Sequence, residues 1–299
     1  MLVNMNSVLE YAEEKNCCVG AFDTPNLEIL MAVLRAAEKR NEPVIIQHAQ
    51  LHEPEMAIRV IGPVMVRMAQ EAKVPVCVML DHGEDMDYVK TALELGFSAV
   101  MIDGSSKPYE ENVRLTKEAV ALAGEYGASV EAEIGVVTGH EGKVFEISSQ
   151  EDAYTDPELA AEFVKATGID ALAASVGTVH GFYTTKPNLD FDRIQRIKEL
   201  TGVPLVMHGG SGSTAEEIAT AVANGVIKMN VDTDTQYAFT RPVVDHMMRN
   251  YDGVLKIDGE VGVKKQYDPR TWGKSAEAGM AARVVEACQR LGSDGTQMR

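Results

Sequence analysis

Short apolar runs recur along the chain, and stretches with helical periodicity separate them. The runs are Val19–Phe22, Val44–Gln47, Val76–Leu80, Ala99–Ile102, Ser129–Ile134, Ala171–Val176, Pro204–Met207 and Val226–Val231. Several lack polar alternation, which is the pattern of strands buried on both faces of a parallel sheet. Between them, Leu27, Leu30, Met31 and Leu34 follow the i, i+3, i+4, i+7 rule, as do Ala215, Ile218, Ala219 and Val222. Asp156-Pro157 reads as an N-cap and first helical residue, and Ser213 with Glu216 as a capping box. Strand and helix alternate eight times, which predicts an α/β fold, the (β/α)8 TIM barrel, over a doubly wound open sheet. No Pro/Ser-rich linker divides the chain, so residues 1–299 read as one domain, with the barrel over about 1–251. Beyond that the alternation stops. A C-terminal helical extension is expected over about 252–299, ordered across Lys256–Gly273 and helical across Ser275–Leu291.

Charge narrows the partners. The chain carries 28 Lys+Arg against 45 Asp+Glu, a net charge of −17. Such an acidic surface argues against nucleic acid and anionic membranes. An anionic metabolite is still admissible, provided that metal, backbone N–H groups or a few cations build a local positive site. Cys17, Cys18, Cys77 and Cys288 form no CxxC pair, and reduced thiols in the cytoplasm are expected. The first residues lack the basic and apolar regions of a signal peptide, and no apolar run reaches membrane-spanning length.

Candidate chemistry gathers at the C-terminal strand ends, where barrels place their active sites. His82, His180 and His208 lie there, and each precedes a glycine. With 25 Gly in 299 residues, a given His precedes Gly by chance about one time in twelve. Three neutral imidazoles with one open position describe a catalytic zinc site. Asp81 precedes His82 and is a candidate general acid/base, although strand alternation sends the two to opposite sides unless the strand end bends. Glu131 and Glu133 point the same way and read as metal ligands, as groups orienting a ligand, or as an interior polar layer. The loop 135–143, with Glu141, is a candidate lid. Gly209-Gly210-Ser211-Gly212 opens a helix after the seventh strand, and Asn230-Val231-Asp232-Thr233 follows the eighth. Backbone N–H groups there can cradle a phosphate. Lys228 faces inward by parity, either as a Schiff-base lysine or as an ion-paired barrel residue. His48 and His52 read as a second metal site or, with Pro54 adjacent, more readily as a solvated loop. Arg270, in Tyr267-Asp268-Pro269-Arg270, reads as a site cation or a surface ion pair.

Five motifs in order, Leu80-Asp81-His82-Gly83, Glu131-Ala132-Glu133-Ile134-Gly135, Gly177-Thr178-Val179-His180-Gly181, His208-Gly209-Gly210-Ser211-Gly212 and Asn230–Gln236, resemble those of the class II ketose-bisphosphate aldolases, the zinc-dependent fructose- and tagatose-bisphosphate enzymes. The resemblance runs essentially end to end. It implies a lyase of carbohydrate metabolism that reversibly cleaves a phosphorylated ketose to dihydroxyacetone phosphate and an aldehyde. By it, His82, His180 and His208 would hold Zn2+, with Glu133 as an alternative ligand. Asp81 would be the proton donor/acceptor, and Glu141 would move the C3 proton. Gly181, Gly209, Ser211, Asn230, Asp232 and Thr233 would bind the dihydroxyacetone-phosphate half, near which the family often uses a monovalent cation, Na+ or K+. Arg270 resembles an arginine that meets the far phosphate. A homodimer or homotetramer is the default assembly.

The sequence departs from the family pattern at two substrate-contacting positions. Asp23 stands where an Asn is usual, and Gln47-His48-Ala49-Gln50 replaces a Ser-containing turn. Thr138–Gly142 also lacks the usual acid after Glu141. The extra charge at Asp23 and the altered turn at Gln47 leave the cleaved ketose open, including a ketose 1-phosphate whose aldehyde half is not phosphorylated. A non-catalytic partner subunit and a metal-dependent hydrolase are the other readings.

Overall fold

The computed structural model describes residues 1–135, 138–139, 154–180, 189–254 and 262–293, with the side chains of 138–139 and 179–180 excepted. Eight parallel strands close into a barrel. They are β1 (Val19–Asp23), β2 (Val44–Ala49), β3 (Val76–Gly83), β4 (Ala99–Ile102), β5 (Ser129–Ile134), β7 (Ala171–Ala174), β9 (Leu205–Met207) and β10 (Val226–Val231). A further parallel pair, β6 (Thr138–Gly139) and β8 (Val179–His180), sets Gly139 opposite His180. The helices are α1 (Met5–Lys15), α2 (Leu27–Arg40), α3 (Ile58–Glu71), α4 (Met86–Glu94), α5 (Tyr109–Tyr126), α6 (Pro157–Thr167), α7 (Phe191–Thr201), α8 (Ala215–Ala223), α9 (Thr233–Arg249), α10 (Tyr251–Val254), α11 (Lys264–Tyr267) and α12 (Pro269–Arg290). The expected barrel is therefore present.

Strand parity explains the continuous apolar runs. One set of side chains, including Ala21, Ile45, Cys77, Met79, Met101, Ala173 and Val206, fills the barrel interior. The alternate set, including Phe22, Ile46, Val78, Leu80, Val100 and Ala132, packs under the helices. Both faces are dry, so neither selects polar residues. The interior cluster continues into Met5, Val8, Leu9 and Ala12 of α1, which packs against β1, β2, β3 and β10 and was not foreseen from the strand pattern. Towards the C-terminal strand ends the same inward parity turns polar, at Asp23, Gln47, Asp81, Glu131, Glu133, His208, Lys228 and Asn230. The barrel thus has an apolar floor and a polar mouth.

Local signals differ from expectation in instructive ways. Asp156 caps α6 as expected, accepting from the Leu159 N–H at 2.8 Å with Pro157 in the first turn. The capping box of α8 sits one residue later than the Ser213 reading. Thr214 Oγ1 accepts from the Glu217 N–H at 3.2 Å, and the Glu217 carboxylate accepts from the Thr214 N–H at 2.8 Å. Ser213 still belongs to the preceding 3-10 turn, its N–H bonded to Gly210 O at 3.1 Å. The last helix begins at Pro269 rather than Ser275, because Asp268 caps it and Pro269 suits its first turn. It packs against α2 and α9.

Candidate metal centre and active site

The end of β3 bends, and the bend resolves the parity conflict between Asp81 and His82. The register against β4 shifts between Leu80 and Gly83, and His82 takes φ +41°. Gly83 is required there: a Cβ would lie 2.6 Å from Met101 O. Both side chains thereby enter the barrel mouth, with Asp81 and His82 buried. Asp81 Oδ1 accepts from Gln47 Nε2 at 2.9 Å and from Asn230 Nδ2 at 3.0 Å. Burial pushes the Asp81 carboxyl up, but His82, His208 and Lys228 outweigh it and leave it below the ordinary carboxylate value.

His82 and His208 meet at right angles, ring centroids 4.8 Å apart, with His82 Nε2 3.1 Å from His208 Nδ1. Their outer nitrogens define the tautomers. His82 Nδ1 lies 2.9 Å from Asp103 Oδ2. Asp103 is held well below the usual carboxylate range, because bonds from His82 and Ser105 overcome burial. It is an acceptor only, so His82 Nδ1 carries the proton. His208 Nε2 lies 2.9 Å from Glu131 Oε1, and Glu131 Oε2 pairs with Lys228 Nζ at 2.8 Å. Burial raises the Glu131 carboxyl, but Lys228 and His208 hold it down, so it too accepts. Burial also lowers His208, which favours the neutral ring. Both facing nitrogens therefore present lone pairs. Glu133 Oε2 is 3.4 Å from His208 Nδ1, and Asp81 Oδ2 is 3.8 Å from His82 Nε2. Ligand atoms of Asp81, His82 and His208 all lie within 4.8 Å of one another. Asp81, His82 and His208 could together hold a divalent metal, and the carboxylates behind the two imidazoles fix ligand orientation.

Of the other expected residues, His180 is placed by its backbone in β8, while its side chain, Gly181 and Glu141 lie outside the described residues. Asn230 accepts from Lys228 Nζ at 2.7 Å while donating to Asp81. Lys228 is fully buried and engaged by both Glu131 and Asn230, the ion-paired barrel residue of the two readings. Gly209 takes φ +67° and leads into the 3-10 turn Gly210–Gly212. Ser211 Oγ accepts from the Asp234 N–H at 3.4 Å, joining this turn to the start of α9, where Thr233 is the first residue. Burial raises Asp232 to about 6, with Gln236 opposing and the Asp81 charge adding. Asp23 is buried beside Gln47, paired with it in register. Arg270 is exposed and bonded to Asp268 at 2.7 Å. The solvated-loop reading of His48 and His52 is overturned, since both are buried. His48 lies near the end of buried β2 with the parity of Val44 and Ile46, which brings it to Tyr88 of α4. Asp103 was missed, although Ile102-Asp103-Gly104 repeats the acid-at-strand-end signal of β3.

The family described as fructose-bisphosphate aldolase class-II matches residues 3–296. The chain belongs to that family, and is accordingly a lyase of the metal-dependent aldolase class. It is 39% identical over 302 residues to a fructose-bisphosphate aldolase of Geobacillus stearothermophilus, covering 98% of each chain. It is 52% identical over 223 residues to one of Streptomyces coelicolor, a match spanning 68% of this chain and 64% of that relative. The crystal structure of the YdjI aldolase from Escherichia coli K12 superposes with a TM-score of 0.82 at 32% identity, covering 99% of both chains. Among the described residues no helix is long and apolar enough to cross a membrane.

Proposed function

We propose that the chain is a zinc-dependent aldolase that reversibly cleaves a phosphorylated ketose to dihydroxyacetone phosphate and an aldehyde. The observation that carries this reading is the pair of inward lone pairs, His82 Nε2 and His208 Nδ1, 3.1 Å apart and each fixed by a carboxylate behind it. His82, His208 and His180 would hold the ion, with Glu133 as an alternative ligand. When bound, zinc supplies Lewis-acid polarisation of the ketose carbonyl. Asp81 is the base for the C4 hydroxyl in cleavage and the acid in condensation. Its carboxylate is kept ionised by its neighbours and aimed by Gln47 and Asn230, so one oxygen is positioned before substrate arrives. Glu141 is assigned the C3 proton.

The phosphate of the dihydroxyacetone half is assigned to Gly181, Gly209, Ser211, Asn230, Asp232 and Thr233. The start of α9 supplies backbone N–H groups and favourable helix potential. A monovalent cation, Na+ or K+, beside that phosphate would offset Asp232. A closed homodimer or homotetramer in the cytoplasm completes the proposal. Chelation with EDTA followed by zinc or cobalt tests it. Cleavage of ketose phosphates is expected to vanish and return, and full activity after chelation would overturn the reading.

A further inference from the structure

The loops after β2 and β3 are joined by a hydrogen-bonded clasp that the chemistry above does not use. Gln50 donates to Asp85 Oδ2 at 2.7 Å and accepts from the Glu84 N–H at 2.7 Å. Tyr88 Oη is 2.7 Å from Glu53 Oε2 and 3.1 Å from His48 Nε2. Glu53 also accepts from the Ile58 N–H at 2.8 Å, so it is an acceptor and takes the single Tyr88 proton. Tyr88 oxygen must then accept from His48 Nε2–H. Burial, with His52 beside it, lowers His48 to about 4, so the ring is neutral and Nδ1 bears a lone pair.

His52 ends the 3-10 turn Gln50–His52, directly after Ala49, which pairs in register with Asp81. Its ring stands edge-on to His48, centroids 5.7 Å apart, and it lies in the field of Asp81, each carrying the other's influence. His52 is only 8% exposed. Its Nδ1 and that of His48 have no hydrogen-bond partner among the described residues. Buried ring nitrogens without partners are unfavourable and are ordinarily satisfied by a ligand or water. Burial also lowers His52, against the pull of Asp81 and Glu55, so it offers a neutral ring rather than a cation.

The charge of the described loops beside Asp81 bears on what that ligand carries. The loops flanking Asp81, at 24–26, 50–57 and 84–85, contain Glu53, Glu55, Glu84 and Asp85 but no Lys or Arg, and Arg59 at the start of α3 is turned to Thr91 Oγ1 at 3.2 Å and offsets only Glu53 among them. Asp23 adds a buried acid on β1, on the far side of β2. A second phosphate here would meet carboxylates, and like-charge juxtaposition is strongly unfavourable. Hydroxyl groups would meet acceptors and neutral imidazoles.

We propose that His52, backed by His48, reads the aldehyde half of the ketose, and that this half carries hydroxyl groups and no phosphate. The inference rests on the aldolase reading, with Asp81 at the C4 hydroxyl. The test is a zinc-loaded comparison of ketose 1-phosphates with ketose 1,6-bisphosphates. It is joined by condensation kinetics of wild type, His52→Ala and His52→Gln with dihydroxyacetone phosphate and hydroxyaldehydes. The 1-phosphates are expected to be preferred about tenfold or more in kcat/KM. His52→Ala should raise the aldehyde KM about fivefold while leaving that of dihydroxyacetone phosphate unchanged. His52→Gln should restore most of it. Preference for bisphosphates, or equal movement of both KM values, overturns the inference while leaving the aldolase reading intact. Zinc-dependent cleavage of neither class overturns both. Should the His52 variants fail to fold, the wild-type substrate preference decides.

Discussion

His82 Nε2 and His208 Nδ1 lie 3.1 Å apart, and the ring proton of each imidazole is drawn to its other nitrogen by the carboxylate behind it. Asp103 and Glu131 each claim the opposite nitrogen of their imidazole. Two acceptors brought together in a buried site are unfavourable unless a cation lies between or beside them. Asp81, whose ligand atoms lie within 4.8 Å of theirs, completes a group that could hold such an ion.

Asp81→Asn should cost about 10²–10⁴-fold in kcat, the usual contribution of a positioned acid/base. Zinc content should be unchanged, because the role assigned is proton transfer. Steady-state cleavage beside metal analysis checks it; loss of metal with activity would reassign Asp81 as a ligand.

Lys228→Met should leave the buried Glu131 carboxylate without its cation, with only the His208 Nε2 contact remaining. Breaking such a pair costs about 3–5 kcal/mol, so a marked drop in Tm is expected. Wild-type enzyme treated with borohydride and substrate should stay active. Inactivation under those conditions would make Lys228 a Schiff-base nucleophile.

Much of this was legible in the chain. Eight apolar runs gave the barrel because its strands are dry on both faces, and three His-Gly pairs marked strand ends. The glycine mattered for a physical reason at His82, where the strand bends and Met101 O leaves no room for a Cβ. Other features depend on packing that periodicity does not encode. His48 looked solvated because a polar residue and Pro54 follow it closely. Its burial comes from strand parity and from Tyr88, forty residues away. Asp103 reaches His82 across neighbouring strands, and α1 docks under the barrel by a contact no local pattern announces.

Gly83→Ala should destabilise the fold by about 1–3 kcal/mol, since the new methyl meets backbone rather than a flexible side chain. It should also weaken zinc binding by displacing His82. Denaturant titration and metal analysis read the two effects separately.

Acid should destabilise the protein between pH 6.5 and 4. Burial lowers His48 from 6.5 to about 4 and also lowers His52. Over that window the unfolded chain binds protons that the folded chain does not, so stability falls as pH falls through 6.5 and this contribution levels off below about 4. Denaturant titrations across that range should show a shallower slope for His48→Gln, and an unchanged slope would contradict the cause.

Metal stoichiometry tests the central claim most directly. Purified wild-type protein, equilibrated with zinc and freed of excess, should retain one ion per chain. His82→Ala and His208→Ala, verified as folded, should retain essentially none. Wild type without zinc, or either variant holding it as tightly as wild type, would contradict the account.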